Sequence, residues 1–248
     1  MKNLMRASVL VLIAAMNPVT VIASQATAPL AVIYHGPGAC TPCVTGAVKA
    51  AKAAGLEVEL VNEKLQDFSV LARASVWIQP GGTSKIAIEA MGPAFLEQLR
   101  QFVAQGGGYV GFCAGAFLST KHNGTTESEG LGIVPGRTLP LFEYFSPEDH
   151  PYLLNLTWGD RARSVYFNGG AYFDLTGVND PNLQVLATYD DYDHKIAAIF
   201  TRFGLGHVAV TGAHPEEINA VKLARFMRDR DGSDRFLAVE MIKSALRD

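Results

Sequence analysis

The stretch GGGYVGFCAGAF, residues 106–117, decides how the rest of the chain is read. Its apolar centre, bounded by glycine, reads as a buried strand over Gly108–Phe112, and the small residues after it as the start of a helix near Ala114. Cys113 stands at the junction, with Gly111 and Gly115 two positions to either side. That G-x-nucleophile-x-G spacing suits a sharp strand-to-helix turn, in which flanking side chains would clash and the central residue is exposed. A thiol at the head of a helix also meets its positive end. The opposing reading is that Cys113 is a small core residue, because free cysteine often packs as an inert hydrophobe.

The same alternation recurs on either side. LAVIY (30–34) is a β-branched run ending in the turn-rich HGPGACTP, and CVTGAVKAAKAAG reads as a helix stopped by Gly55. LEVELV (56–61) forms a second strand, and SVWIQ a third, halted by Pro80-Gly81-Gly82. PAFLEQLRQFVAQ places Phe95, Leu99, Phe102 and Val103 on one helical face, with Pro93 near its start. Strands and helices in this rhythm predict right-handed crossovers and an α/β, three-layer, mostly parallel sheet with helices on both faces.

From about Lys121 to Arg163 the pattern weakens, and an irregular excursion is expected there. RSVYFNGGAYFDL, LQVLATY, KIAAIFTRF and GHVAVTGAHPEE then predict β-hairpin insertions feeding a last core strand, and Glu217 to Asp248 a helical tail.

The chain has 248 residues, 48% of them hydrophobic and 18% charged, which suits a single domain over 28–248. Residues 1–23 carry Lys2 and Arg6 ahead of an apolar run and a small-residue cleavage region, the pattern of a signal peptide. A periplasmic or secreted protein is expected, without stable membrane insertion after cleavage. Losing Lys2 and Arg6 takes the formal charge from −3 to −5, so nucleic acid is excluded as a partner. Three cysteines remain. An odd count in an exported protein implies one pair and one leftover thiol: Cys113 alone, and Cys40 with Cys43 as a structural disulfide, a redox-active pair or two free thiols.

Ligands of open α/β sheets gather outside the carboxyl ends of the strands. Four suggestive segments lie at such ends: HGPGAC, PGG, CAG and HPE. A thiol nucleophile needs a base, and the base works best when a carboxylate fixes its tautomer. His214 followed by Pro215 and Glu216 supplies both, although a surface turn could hold the same three residues. The N–H of Ala114, with Gly82 or its neighbour, could bind an oxyanion.

In this order the motifs resemble the class I glutamine amidotransferase-like superfamily, a flavodoxin-like architecture. YHGPG (34–38), QPGG (79–82), GGGYVGFCAGAF, LGIVPG (131–136) and YFNGGAYF (166–173) look most like the N-terminal domain of biotin–protein ligases, here expected as a standalone, exported version. The resemblance implies Cys113 as nucleophile, His214 as base, Glu216 as its orienting acid, and Gly82 with Ala114 as oxyanion hole. It also implies that Asn168, Gly169 and Gly170 line the pocket, although they could be only a hairpin turn. Gly36, Pro37 and Gly38 complete the expected substrate-binding set, and His35 beside them could contact substrate or face solvent. No cofactor is expected. No metal site is expected either, since His150, His194 and His207 are isolated and lack zinc-ligand spacing. The expected activity is a cysteine hydrolase or amidotransferase-like enzyme acting on a small-molecule or peptide substrate. The alternative is a non-catalytic small-ligand-binding protein.

Overall fold

The computed structural model describes residues 28–65, 67–124, 129–141, 152–216, 227 and 229–246. The expected signal peptide and His150 lie outside them. Five strands make the parallel core: β1 (Leu30–Tyr34), β2 (Glu57–Val61), β3 (Ala74–Gln79), β4 (Gly108–Phe112) and β12 (Gly206–Thr211), in the order β2-β1-β3-β4-β12. β1, β3 and β4 are covered on both faces, which is why they read as continuous apolar runs rather than as alternations.

Successive residues of these strands serve opposite layers. Ala31, Ile33, Val76 and Ile78 join the cluster formed by α1 (Thr41–Ala53) and α5 (Arg235–Ala245). Val32, Tyr34, Trp77 and Tyr109 join α2 (Ser69–Arg73) and α3 (Ser84–Ala104) on the other side. Gly55, with φ of +90°, follows the end of α1 in the conformation that favours glycine. α3 begins nine residues ahead of the expected Pro93, because it is two helical pieces joined at Gly92, whose φ of 68° and ψ of 170° break the ladder before the proline. α4 (Ala114–Ser119) follows β4 directly.

Beyond β12 the sheet turns antiparallel through β11 (Lys195–Phe203), β10 (Gln184–Tyr189), β7 (Tyr152–Trp158) and β8 (Arg161–Phe167). The complete sheet is therefore mixed, and mostly parallel describes its core. The excursion expected over 121–163 is more regular than its sequence suggests. It contains β5 (Thr120–Asn123), β6 (Val134–Pro140), β7 and the start of β8. β7 alternates buried Leu154, Leu156 and Trp158 with exposed Asn155 and Thr157, a period-two signal obscured by the surrounding turn residues. β9 (Ala171–Asp174) pairs with β6 and β11, not with β8, so Asn168-Gly169-Gly170 is not a hairpin turn but a crossing between separate parts of the sheet. In the tail, helix is described over Arg235–Ala245; residues 217–226 lie outside the described set. Arg163 anchors that helix: its guanidinium bonds the fully buried Asp234 at 2.9 and 3.1 Å.

Candidate functional site

The carboxyl ends of β1, β3, β4 and β12 bring all four sequence segments together. At the end of β4, Cys113 has φ of 49° and ψ of −99°, a conformation non-glycine residues rarely adopt, costing on the order of 1–3 kcal/mol. The surroundings enforce it. Cys113 N–H donates to Thr211 O at 2.8 Å, and Cys113 O accepts from Ala116 N–H at 3.0 Å as α4 begins. A Cβ on Gly111 would lie 2.6 Å from the Gly115 backbone, and one on Gly115 would lie 2.5 Å from Gln79 O. The two glycines are there because helix, strand and neighbouring strand pass too closely for any side chain.

At the end of β12, His214 N–H donates to Tyr166 O at 2.9 Å, and Pro215 turns the chain so that Glu216 Oε1 lies 2.9 Å from His214 Nδ1. Burial by itself would lower the affinity of the imidazole for its proton. The charges of Cys113 and Glu216, and hydrogen bonds to both, outweigh burial and raise the His214 pKa to about 10. The ring thus carries its proton at neutral pH, beside the sulfur on one side and the carboxylate on the other.

The thiol is not perched in the open, as the elbow spacing predicts. Cys113 is 4% exposed, His214 2% and Glu216 fully buried. Asn168 O sits 3.7 Å from Cys113 Sγ, so the Asn168–Gly170 crossing covers the sulfur. Gly170 packs its backbone against Gly212, and Gly169 has φ of +68°. A cavity of about 430 Å³ between α2 and α3, lined by Phe68, Leu71, Gln98 and Phe102, shares none of these residues.

The glycine loops occupy adjoining positions. Gly82 has φ of +143° and lies against Gly38, whose carbonyl accepts from Thr83 N–H at 2.8 Å. Tyr34 Oη donates to Pro37 O at 3.1 Å and Gly36 lies over the same ring; burial, then the charge of Glu63, push the Tyr34 hydroxyl up to about 12. His35 is exposed, its N–H donating to Val61 O at 2.7 Å.

Gly81, the neighbour of the expected oxyanion donor Gly82, is the residue that packs on the imidazole. A Cβ there would strike His214 Cε1 and come within 3.0 Å of Cys43 Sγ. Nothing in Pro-Gly-Gly says which glycine faces the histidine. Cys40 and Cys43 are joined in a disulfide with Cα atoms 5.2 Å apart at the start of α1, where Cys40 Sγ accepts from Cys43 N–H. That bond therefore borders the site, a proximity no local spacing reveals. His194 and His207 stand apart from it: His207 Nδ1 lies 3.3 Å from Leu246 O, and His194 is an exposed residue near Asp190.

A parallel core with a cysteine elbow after β4 and a histidine after β12 defines a class I glutamine amidotransferase-like fold, and solved structures agree. The chain is similar to a crystal structure of glutamine amidotransferase with 19% identity and a TM-score of 0.56, over 79% of this chain and 94% of that one. It is similar to PurLQS from Thermotoga maritima with 17% identity and a TM-score of 0.58, over 88% and 100%. Within that class, the family model for the N-terminal region of biotin–protein ligase matches residues 30–147 and 153–244, and the chain belongs to this family. It is 28% identical over 209 residues to a biotin–protein ligase of Schizosaccharomyces pombe (strain 972 / ATCC 24843), a match covering 74% of this chain and 33% of the ligase. It is 29% identical over 134 residues to an uncharacterized protein of Chlamydia muridarum (strain MoPn / Nigg), covering 48% and 51%. The chain thus spans about a third and about half of the lengths of these two relatives.

Proposed function

We propose that this is a cysteine-dependent hydrolase or amidotransferase-like enzyme, periplasmic or secreted, acting on an amide, ester or short peptide. The observation that supports it most is the meeting of three groups at strand ends: a backbone-strained thiol, an imidazole beside it whose hold on a proton is strengthened by its acidic neighbours, and a carboxylate 2.9 Å from that ring. In the proposed reaction Cys113 sulfur, as thiolate, attacks the substrate carbonyl and forms a carbon–sulfur bond. The oxyanion is held by N–H groups of Ala114 and Gly82, the positions the family resemblance points to. His214 gives its proton to the departing nitrogen or oxygen, whose bond to carbon breaks. Water then attacks the thioester with His214 as base, releasing the acid and restoring the thiol. Glu216 holds the ring in the orientation these transfers require.

Substrate reaches the sulfur in this reading by displacing the Asn168–Gly170 crossing. The near-complete burial of Cys113 favours the second reading, a small-ligand-binding protein that performs no turnover. Iodoacetamide separates the two. An enzyme alkylates at Cys113 in the native state near neutral pH, and Cys113→Ala abolishes both labelling and activity without lowering the melting temperature markedly. A binding protein leaves Cys113 unmodified until denatured, and its ligand raises the melting temperature equally in wild type and Cys113→Ala.

A further inference from the structure

The Cys40–Cys43 disulfide abuts the imidazole, and this contact has chemistry of its own. Cys43 Sγ, a ring nitrogen of His214 and a carboxylate oxygen of Glu216 all lie within 4.8 Å of one another, and all three residues are buried. Glu216 Oε1 is engaged by His214 Nδ1, but Oε2 is buried with no hydrogen-bond partner among the described residues. Gly81 packs against the same cluster without a gap: a Cβ there would strike His214 Cε1 and lie 3.0 Å from Cys43 Sγ and 3.1 Å from His214 Nδ1. A buried carboxylate oxygen with no partner is costly, and its usual resolution is a donor or a cation.

We infer that opening the Cys40–Cys43 disulfide creates a site for a zinc-class divalent cation, held by Cys43 thiolate, His214 and Glu216. Thiolate, imidazole and carboxylate are the donor set of zinc, with bonds of about 2.3 Å to sulfur and about 2.0–2.1 Å to nitrogen and oxygen. Tetrahedral ligands then stand roughly 3.5 Å apart, so rotations that move these atoms by about an ångström close the site. One thiolate and one carboxylate neutralise the two charges of the metal, which a buried position demands. A phosphine reductant opens the disulfide: both sulfurs become thiols and phosphorus is oxidised, taking its oxygen from water. Zinc then displaces the Cys43 thiol proton and the imidazolium proton to solvent. The metal occupies the ring that the proposed catalysis needs, so its binding silences Cys113. The metal site itself does not depend on Cys113 being a nucleophile.

Cys40→Ser leaves Cys43 as a thiol without any reductant and tests the site directly. After incubation with zinc and desalting, elemental analysis should find one zinc per chain in Cys40→Ser and in phosphine-reduced wild type, and none in oxidised wild type. Cys43→Ser, reduced or not, loses the thiolate ligand and should retain no zinc after desalting. Cobalt in place of zinc should show a thiolate-to-metal charge-transfer band in Cys40→Ser that survives a further Cys113→Ser. Far-ultraviolet circular dichroism checks that each variant is folded, and should Cys40→Ser not fold, reduced against oxidised wild type carries the comparison. Equal zinc binding by Cys40→Ser and Cys43→Ser overturns the inference. So does loss of the metal on adding Cys113→Ser, which would place it on the other thiol. If zinc binds as expected while iodoacetamide labelling of Cys113 is unchanged, the silencing fails and the metal site stands.

Discussion

His214 Nδ1 lies 2.9 Å from Oε1 of Glu216, a residue only two positions further along the chain, and the pair is buried at the end of the last core strand. Pro215 makes so short a return possible. Its consequence is electrical, since an imidazole at this depth would give up its proton were it not flanked by acidic partners.

In the oxidised, metal-free protein His214 should therefore titrate near 10, against the ordinary 6.5, as followed by nitrogen-15 shifts of its ring. Because the folded value is raised, its contribution to stability is complete below about pH 6.5 and is lost as pH climbs through about 10. Cys113→Ala removes the largest raising influence, and the titration should move down. A midpoint that stays near 10 in that variant would show that the sulfur is not the ring's partner.

Glu216→Gln keeps the shape and removes the charge. Alkylation of Cys113 by iodoacetamide should slow by about a hundredfold, the scale of a misoriented base, while the melting temperature changes little by comparison. An unchanged labelling rate would reduce Glu216 to a packing residue.

Gly81→Ala should act on the site rather than on the fold. Its methyl group meets His214 Cε1 and Cys43 Sγ, so the ring must shift. The expected result is slower labelling of Cys113 with the far-ultraviolet circular dichroism unchanged, and a labelling rate equal to that of the wild type would show that the ring tolerates the methyl group.

Arg163 and Asp234 test the tertiary frame. Asp234 is completely buried, and replacing Arg163 by Ala removes the guanidinium that bonds it at 2.9 and 3.1 Å. A loss of roughly 3 kcal/mol in denaturant unfolding is expected, with Asp234→Asn costing less because it remains uncharged. If Arg163→Ala is silent, the Arg163–Asp234 pair does not hold the tail helix in place.

The legible parts of this protein are local ones. Continuous apolar runs such as LAVIY and GYVGF announce strands buried on both faces, and Gly111 and Gly115 announce a close passage around Cys113. β7 was harder, because Leu154, Leu156 and Trp158 alternate within a region rich in turn residues. The two-piece α3 was harder still: SKIAIEAM is helical before Pro93, and Gly92 provides the joint that lets a helix meet a proline there. The order HGPG, PGG, CAG, HPE indicated a shared edge of the sheet, because successive parallel strands end on the same side.

Spacing along the chain was enough to determine the parallel core, the tight bend at Cys113 and the neighbourhood of His214 with Glu216, because each depends on residues a few positions apart or on periodic burial. Only the folded molecule decided that Asn168 covers the sulfur, that Gly81 rather than Gly82 touches the imidazole, and that a disulfide at the start of α1 borders the same ring. Those contacts join loops distant in sequence, and their paths follow from how helices and outer strands pack, a balance summed over the whole core that no short stretch carries.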